Sequence, residues 1–269
     1  MDATGAISAA FLAARREARA IDAFPGDVPG SLEAAYRVQA RSIRDWGEPI
    51  IGFKVGGIAP AFRDTYPSAW LAGPIFKSHL LEAKTDGPTV VSVFQGGFAA
   101  YEPELVFRLT NVRATRPRLD SHEDAMPYIT AVHIGAEIAS SPLKSLNALG
   151  PGSIISDFGN QSAVVVGPEI DRGWLDRLKD IQVTTFIDGN EVGSAHVASG
   201  DAGPLGALRF LLNHLRDEPY GKLDADELWL SSGAITGVHE TAPGSDCTIV
   251  YEDLGVLKLR MEARKPTAA

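Results

Sequence analysis

The chain has 269 residues, of which 45% are apolar and 22% charged, a balance typical of a globular protein with one large core or a core and a smaller appendage. Its formal net charge of −9 argues against a nucleic-acid binder, which needs a basic face to contact phosphates. The single cysteine, Cys247, excludes an intramolecular disulfide and a thiolate metal cluster.

Two amphipathic helices are predicted at the start of the chain. The apolar periodicity of residues 5–21 predicts the first, and the Pro- and Gly-rich residues 22–30 predict a loop after it. Ser31 is a typical N-cap for the second helix, which we expect to continue to about Asp45 and to end at Gly47.

Most of the remaining chain is predicted to form strands. Asp188-Gly189-Asn190 tolerates the positive φ of a tight turn, so residues 183–197 are predicted to form a hairpin. One further helix is predicted from Pro204 to Asp217, with its leucines on one face. Strand-like runs cover residues 50–55, 90–94, 102–109, 129–138, 163–166, 228–230, 247–251 and 256–260. Helices followed mostly by strands indicate the α+β class rather than a regular βαβ alternation.

An acidic pair in one predicted strand is the most informative feature of the sequence. Glu102 and Glu104 are two residues apart, so in a strand their side chains point to the same face. Two neighbouring carboxylates repel each other, and a hard divalent cation with oxygen ligands would remove that repulsion. Pro103 cannot donate a ladder hydrogen bond, which predicts a sheet edge or a bulge at this point, as is common beside active sites.

A third acid, Glu137, lies between small and apolar residues in another predicted strand. A buried glutamate without a partner is costly, and three carboxylates with positions left for water and substrate suit Mg²⁺ or Mn²⁺. The spacing alone leaves two alternatives open. The acidic pair could lie on a solvated strand face, and Glu137 could be part of a buried salt bridge.

Short motifs from about residue 31 onward occur in the order and at the spacing of one enzyme family. They are Ala35-Tyr36-Arg37-Val38-Gln39, Gly52-Phe53-Lys54-Val55-Gly56, Glu102-Pro103-Glu104, Ala136-Glu137-Ile138, the segment from Asp157 to Gly167, Gly203-Pro204-Leu205-Gly206-Ala207 and Leu230-Ser231-Ser232-Gly233. In these motifs the chain resembles the 2-keto-4-pentenoate hydratase / 4-oxalocrotonate decarboxylase family.

The resemblance implies a fold and a metal site. The fold would be the fumarylacetoacetate-hydrolase-like mixed β-roll of the α+β class, with a smaller N-terminal helical/αβ part over residues 1–75 and the catalytic domain over residues 76–269. The resemblance further implies that Glu102, Glu104 and Glu137 bind Mg²⁺ or Mn²⁺. It also implies a homo-oligomer and a small anionic 2-oxo acid as the substrate.

The activity that the resemblance favours is hydration of a short 2-hydroxydienoate through a metal-stabilised enolate. Decarboxylation of a 2-oxo-3-enedioate is the first alternative, and its second carboxylate would call for a further cation such as Arg63 or Lys77. Acylpyruvate C–C hydrolysis is another alternative, and a non-catalytic binding protein is the least favoured.

The resemblance also implies roles for residues around the metal. Lys54 would bind the substrate carboxylate or take part in proton transfer. Ser78 stands where the family often has an acid, so His79 is the candidate acid/base group beside the retained Asp157. Four further residues are expected to line the substrate pocket, namely Gly56, Gln161, Ser162 and Ser232.

Neither export nor membrane insertion is predicted from the sequence. Asp2 stands where a secretory signal has positive charge, and Arg15, Arg16 and Glu17 interrupt the apolar stretch that follows. No apolar run is long enough to span a bilayer. We therefore expect a cytoplasmic protein whose partners include neither membrane nor nucleic acid.

Overall fold

A computed structural model of the chain describes residues 2–112, 117–217, 220 and 226–267. Within these ranges the helices are α1 (Ala3–Glu17), α2 (Leu32–Trp46), α3 (Pro151–Ser156) and α4 (Pro204–Arg216). Short 3₁₀ segments occur at Pro60–Phe62, Lys77–His79, Glu123–Tyr128, Phe158–Asn160, Arg172–Asp180 and Gly200–Ala202. No helix in the described part of the chain is both long and apolar enough to cross a membrane.

The described strands form two mixed sheets. The strands are β1 (Ile50–Gly57), β2 (Trp70–Phe76), β3 (Leu80–Glu82), β4 (Thr89–Val93), β5 (Phe98–Leu109), β6 (Ile129–Ser141), β7 (Gln161–Ile170), β8 (Gln182–Ile187), β9 (Asn190–His196), β10 (Leu228–Ser231), β11 (His239–Glu240), β12 (Asp246–Tyr251) and β13 (Gly255–Ala263). The larger sheet has the order β2-β1-β10-β5-β6-β7-β3, with β11 also pairing to β5, and the smaller has the order β4-β13-β12-β8-β9. Two mixed sheets with helices confirm the predicted α+β class.

Local sequence signals explain where the N-terminal helices begin and end. The Asp2 side chain accepts a hydrogen bond from Gly5 N at 2.8 Å, and Ser31 accepts one from Ala34 N at 3.2 Å. Gly47 ends α2 with a φ of 83°, as predicted. The first helix ends earlier than predicted, because Ala18 adopts the left-handed conformation and the apolar pattern continues beyond it.

The main core lies between the two sheets. Strand β5 is buried on both faces: Tyr101, Leu105 and Phe107 point into this core, where they meet Ile249 and Leu257 of the smaller sheet. The alternate residues of β5, which include the acidic pair, therefore point to the other face of the larger sheet. This division places the carboxylates away from the main apolar core, although they are buried.

Strand β2 is an element that the sequence did not predict. Gly73 and Pro74 interrupt it, yet it pairs with β1 over its whole length at the edge of the larger sheet, where a proline is tolerated. The predicted boundary at residue 75 falls inside β2. Because β1 and β2 share one sheet with β5, the sheet extends across both predicted parts, and the division into domains remains a prediction.

A buried ion pair joins α1 to the turn that precedes β7. Arg15 is 1% exposed, and its Nε and Nη2 donate to the two Asp157 carboxylate oxygens at 2.5 and 3.0 Å. Further donors of the same guanidinium reach the carbonyls of Ser140 and Gln161 at 3.3 and 3.2 Å. A bidentate pair with its remaining donors satisfied fixes the helix against the sheet.

Removing one partner of this pair is expected to be strongly destabilising. The Arg15→Ala substitution leaves the Asp157 carboxylate buried and uncompensated, so the free energy of unfolding should fall by about 3–5 kcal/mol in urea denaturation. Arg41→Ala is the matched control, because Arg41 forms an exposed helical pair with Asp45 and should change stability little. Equal stability of the two variants would contradict a structural role for Arg15.

Candidate metal centre

Strands β5 and β6 bring three glutamates together. Glu102 lies directly opposite Glu137 in the antiparallel register, and Glu104 lies two residues along the same face. One carboxylate oxygen from each of the three residues lies within 4.8 Å of the other two. All three side chains are buried, with 5%, 0% and 0% exposure for Glu102, Glu104 and Glu137. The predicted convergence of these acids is therefore a feature of the structure.

The sheet opens beside the acidic pair. Strand β10 pairs with β5 only from Val106 onward, and β11 pairs with it only at Ala100 and Tyr101. Pro103 lies in the gap, where its carbonyl accepts from Ile235 N at 2.9 Å. Because β5 is an interior strand, the predicted edge is corrected to a break in one ladder. The chain between β10 and β11 leaves the sheet there.

Glu104 is held from both faces of the sheet. Ser231 Oγ donates to Glu104 Oε2 at 2.5 Å on the acidic face. On the core face, the Tyr251 hydroxyl lies 2.8 Å from the Glu104 carbonyl oxygen and 2.6 Å from that of Gly135. Tyr251 thus ties β5 to β6 at the level of the carboxylates.

The buried carboxylates are short of positive charge. Burial raises the pKa of Glu137 to about 8, against the opposing effect of Lys54. Burial and the charges of Glu137 and Glu102 raise the pKa of Glu104 well above its usual range. Glu104 Oε1 and Glu137 Oε1 have no hydrogen-bond partner among the residues that the structure describes. If all three carboxylates were ionised, the single ammonium would leave two negative charges uncompensated, and a divalent cation fits both that charge and these hard oxygen donors.

Lys54 is the cation that accompanies the acids. It extends from β1, is 3% exposed, and places Nζ 3.2 Å from Glu137 Oε2 and 3.2 Å from Asn160 Oδ1. Burial lowers the pKa of Lys54, but the charges of the three glutamates together raise it by more, so the net shift of the pKa is upward. Lys54 is therefore protonated beside the acidic cluster.

A cavity of about 260 Å³ opens above this cluster. Its polar lining consists of Lys54, Glu102, Asn147, Asn160 and Ser232, and its apolar lining includes Trp70, Leu71, Ile154, Ile235 and Val238. The segment that leaves the sheet between β10 and β11 supplies one wall of this cavity. The polar groups are therefore gathered on one side of an otherwise apolar space.

The structure brings only some of the predicted site residues to this cavity. Lys54, Gly56, Glu102 and Ser232 line it, and Glu104 and Glu137 lie in the same acidic cluster. The other four predicted residues, His79, Asp157, Gln161 and Ser162, belong to a separate polar cluster around Arg15. The geometry therefore gives their predicted catalytic and substrate-binding roles no support.

The partners of these four residues explain why they do not line the cavity. Asp157 is engaged by Arg15, and His79 Nδ1 lies 2.6 Å from Gln161 Oε1. Burial lowers the pKa of His79 to about 4, so its imidazole is neutral at neutral pH. Ser162 Oγ accepts from Arg264 Nη2 at 2.8 Å. Ser78, at the expected acidic position, is exposed and donates to Glu48 at 2.6 Å.

Sequence reasoning did not identify Asn147 and Trp70 as residues of the cavity, and it placed Asn160 there only through the family segment that begins at Asp157. Asn160 follows Gly159, and both have positive φ, a conformation that Asn and Gly tolerate best. That dipeptide was a signal for a tight turn but not for a site. The sequence around Asn147 and Trp70 carried no comparable signal.

Solved structures with the same architecture were found, although no protein-family model and no curated protein matches the chain. The 4-oxalocrotonate decarboxylase from Pseudomonas putida G7, in complex with magnesium and adipate, is 21% identical with a TM-score of 0.77, covering 96% of this chain and 97% of that one. The same enzyme with calcium and acetate gives 19% identity and a TM-score of 0.77, over 96% of both chains. The chain has the fumarylacetoacetate-hydrolase-like fold.

The fumarylacetoacetate-hydrolase-like fold extends to a more distant neighbour. Fumarylpyruvate hydrolase from Pseudomonas aeruginosa, in complex with Mn²⁺ and pyruvate, is 14% identical with a TM-score of 0.53, covering 81% of this chain and 91% of that one. At these identities the likeness concerns the fold, and it confirms the fold that the motifs implied. These neighbours are enzymes of different reaction types that were solved with divalent metals.

Metal removal is expected to destabilise the protein more at high pH than at low pH. The pKa of Glu137 rises from 4.5 to about 8 on folding. The protonated side chain therefore contributes its full share to the free energy of unfolding below about pH 4.5, and this contribution is lost as the pH rises through about 8. A cation that binds the ionised carboxylates would oppose this loss. Mg²⁺ or Mn²⁺ should therefore raise the Tm more at about pH 9 than at about pH 6.

Thermal unfolding with EDTA and with added cation measures this difference. Glu240→Gln is the control, because Glu240 is exposed on the neighbouring β11 and the pH dependence should be retained in that variant. A cation effect on Tm that is the same at both pH values would argue against binding at the buried carboxylates.

Proposed function

We propose that the protein is a divalent-metal-dependent lyase acting on a small anionic 2-oxo acid, and specifically a hydratase of a short 2-hydroxydienoate. The observation that carries this proposal is the cluster of three buried glutamates, with one lysine, beside a cavity large enough for a small acid. The neighbours solved with metals and small carboxylates support it through their common fold.

In this proposal Glu102, Glu104 and Glu137 hold Mg²⁺ or Mn²⁺. When bound, the cation would act as a Lewis acid towards the 2-oxo group and so favour loss of a neighbouring proton. The chain itself fixes the ligands, because Ser231 orients Glu104 and the β5–β6 register opposes Glu102 to Glu137. Ligands that are held before the substrate arrives need little rearrangement during the reaction.

Lys54 is the residue proposed to act on the substrate directly. Its ammonium lines the cavity, and it is the group there that can pair with a substrate carboxylate or transfer a proton at a carbon next to the metal site. Gly56 gives it room, since a Cβ at that position would lie 3.3 Å from Lys54 Nζ. Ser232 adds a hydroxyl on the facing wall, with Oγ donating to the Leu105 carbonyl.

The cavity favours hydration over decarboxylation of a dicarboxylate. Among the described residues that line it, Lys54 is the one cation, and it is already engaged with Glu137. Arg63 and Lys77, the candidates for a second cation, are not part of the lining. Arg63 donates to the Ile58 carbonyl at 2.9 Å, and Lys77 is exposed. A second carboxylate would thus lose water without gaining a partner.

The cavity fits the other candidate functions less well. C–C hydrolysis needs an acid/base group to activate water, and His79 is not among the residues that line the cavity. A non-catalytic binding protein would need neither the uncompensated carboxylates nor a lysine beside them. We further propose that the protein is a homo-oligomer, as the motif resemblance implies, and that it acts in the cytoplasm, as expected from the N-terminal sequence.

An activity screen tests the proposed reaction. Purified protein with Mg²⁺ or Mn²⁺ is assayed against 2-hydroxypenta-2,4-dienoate, its methyl homologue and 4-oxalocrotonate. We expect hydration of the dienoates, with kcat/KM for the dicarboxylate lower by about 10-fold or more because its second charge is unpaired. Preferred turnover of 4-oxalocrotonate with release of CO₂ would instead establish the decarboxylase alternative.

Loss of one proposed ligand is expected to abolish most of the activity. Glu104→Gln should lower turnover by at least about 100-fold, since loss of a ligand should cost no less than loss of a group that orients one. Calorimetric titration should show weaker Mg²⁺ binding in the same variant. Glu240→Gln serves again as the exposed control. Near-normal turnover of a folded Glu104→Gln protein would refute the ligand assignment.

A further inference from the structure

Asn147 and Asn160 form a chain of side-chain contacts along one wall of the cavity. Lys54 Nζ lies 3.2 Å from Asn160 Oδ1, and Asn160 Nδ2 lies 3.2 Å from Asn147 Oδ1. The chain of contacts runs from the acidic cluster, through Lys54, towards the part of the cavity beyond it. Neither asparagine has a role in the proposed reaction as described above.

Donor and acceptor chemistry fixes the direction of both amides. An ammonium has donors and no acceptor, so only the amide oxygen of Asn160 can face Lys54. The Asn160 NH₂ group then faces Asn147 and requires an acceptor, which is the Asn147 amide oxygen. The Asn147 NH₂ group is consequently turned away from Asn160. Among the described residues it has no protein acceptor.

The backbone keeps Asn160 in place. It is 5% exposed and has a φ of 58°, a conformation that asparagine tolerates. A Cβ on Gly73 would lie 2.1 Å from the Phe158 carbonyl oxygen, so β2 and the turn Phe158–Asn160 pack backbone against backbone. Strand β2 therefore holds Asn160 against Lys54, and Asn160 in turn sets the orientation of Asn147.

We propose that Asn147 is a substrate-binding residue, whose NH₂ group donates a hydrogen bond to an uncharged oxygen at the end of the substrate away from its 2-oxo carboxylate. Asn160 is the residue that positions it. This inference rests on the proposed function and narrows the substrate class to small 2-oxo acids that carry, or acquire by hydration, a distal hydroxyl or carbonyl oxygen.

The surroundings of Asn147 favour such a role. A neutral donor suits a neutral oxygen, and the one described cation of the lining, Lys54, is engaged with Glu137. Apolar side chains such as Ile154 and Trp70 line the same cavity. When a substrate displaces water from this space, an unpaired Asn147 NH₂ group would cost free energy, so ligands that pair with it bind more tightly.

Binding of two probes to the Mg²⁺-loaded protein tests the proposal. Pyruvate has the 2-oxo carboxylate alone, whereas 4-hydroxy-2-oxopentanoate adds a distal hydroxyl. Calorimetry should show that Asn147→Ala lowers the affinity for the hydroxylated probe about 5- to 10-fold and the affinity for pyruvate by no more than about 2-fold. Ser145→Ala, in the same loop and exposed, is the matched control and should change neither affinity.

A second variant separates the donor from the acceptor of the Asn147 amide. Asn147→Asp keeps an oxygen for Asn160 but has no donor, and its charge should weaken both anionic probes. The affinity for 4-hydroxy-2-oxopentanoate divided by the affinity for pyruvate is independent of this shared charge effect. We expect this ratio to fall in Asn147→Asp as it does in Asn147→Ala. Thermal unfolding of each variant establishes that the fold is retained.

The outcomes distinguish this inference from the proposed function. If the wild-type protein binds pyruvate only with Mg²⁺ but the affinity ratio is unchanged in both variants, the role of Asn147 is refuted and the metal site is supported. An equal loss for both probes in Asn147→Ala would also refute it, because that pattern indicates a structural role. If the wild-type protein binds neither probe, the proposed function fails and the inference fails with it.

Discussion

Buried negative charge is the constraint on which this structure depends. Removal from water strongly disfavours the ionised form of a carboxyl group unless a cation or a hydrogen-bond donor faces it. Here three carboxyl groups share one buried site. The compensating groups come from separate strands: Lys54 from β1 and Ser231 from β10. The strand order of the larger sheet brings these groups to one place, and the smaller sheet supports it by packing on its other face.

The two faces of the larger sheet differ in composition and in role. The face towards the smaller sheet is apolar and provides the main core, while the other face carries the acids. Tyr251 links the two, because it crosses from the core to the carbonyls of Glu104 and Gly135. The geometry of the acidic site is therefore coupled to the stability of the smaller sheet, although no residue of that sheet is needed as a ligand in the proposed function.

Local rules allowed much of this fold to be predicted from sequence. The cap at Ser31, the Asp188–Asn190 turn and the leucine face of α4 depend on neighbours within a few residues, and each lies where it was predicted. The two-residue spacing of Glu102 and Glu104 likewise fixed their common face. The meeting with Glu137 depends on strand register, which the sequence indicated only through the family resemblance.

Contacts between distant segments could not be predicted. Arg15 has the appearance of a surface residue in an amphipathic helix, yet it is buried against an aspartate 142 positions away. That contact engages the Asp157 carboxylate, which the resemblance had put among the candidate catalytic groups. His79 was proposed as an acid/base group because of its intrinsic pKa, but burial lowers that pKa to about 4. Its ring nitrogen Nδ1 is paired with Gln161. In both cases, tertiary packing determined what the side chain can do.

The break in the ladder at Pro103 has a consequence for how this scaffold can diversify. A residue other than proline would present a backbone N–H to the gap, and that donor would need a partner whenever the facing segment moved or changed length. Proline has no such donor, so a change in the connection between β10 and β11 leaves no unpaired N–H at position 103, although the Pro103 carbonyl still needs a donor such as Ile235 N. The wall beside the three glutamates is thus the part of the cavity that can change in shape while β5 and β6 keep their register.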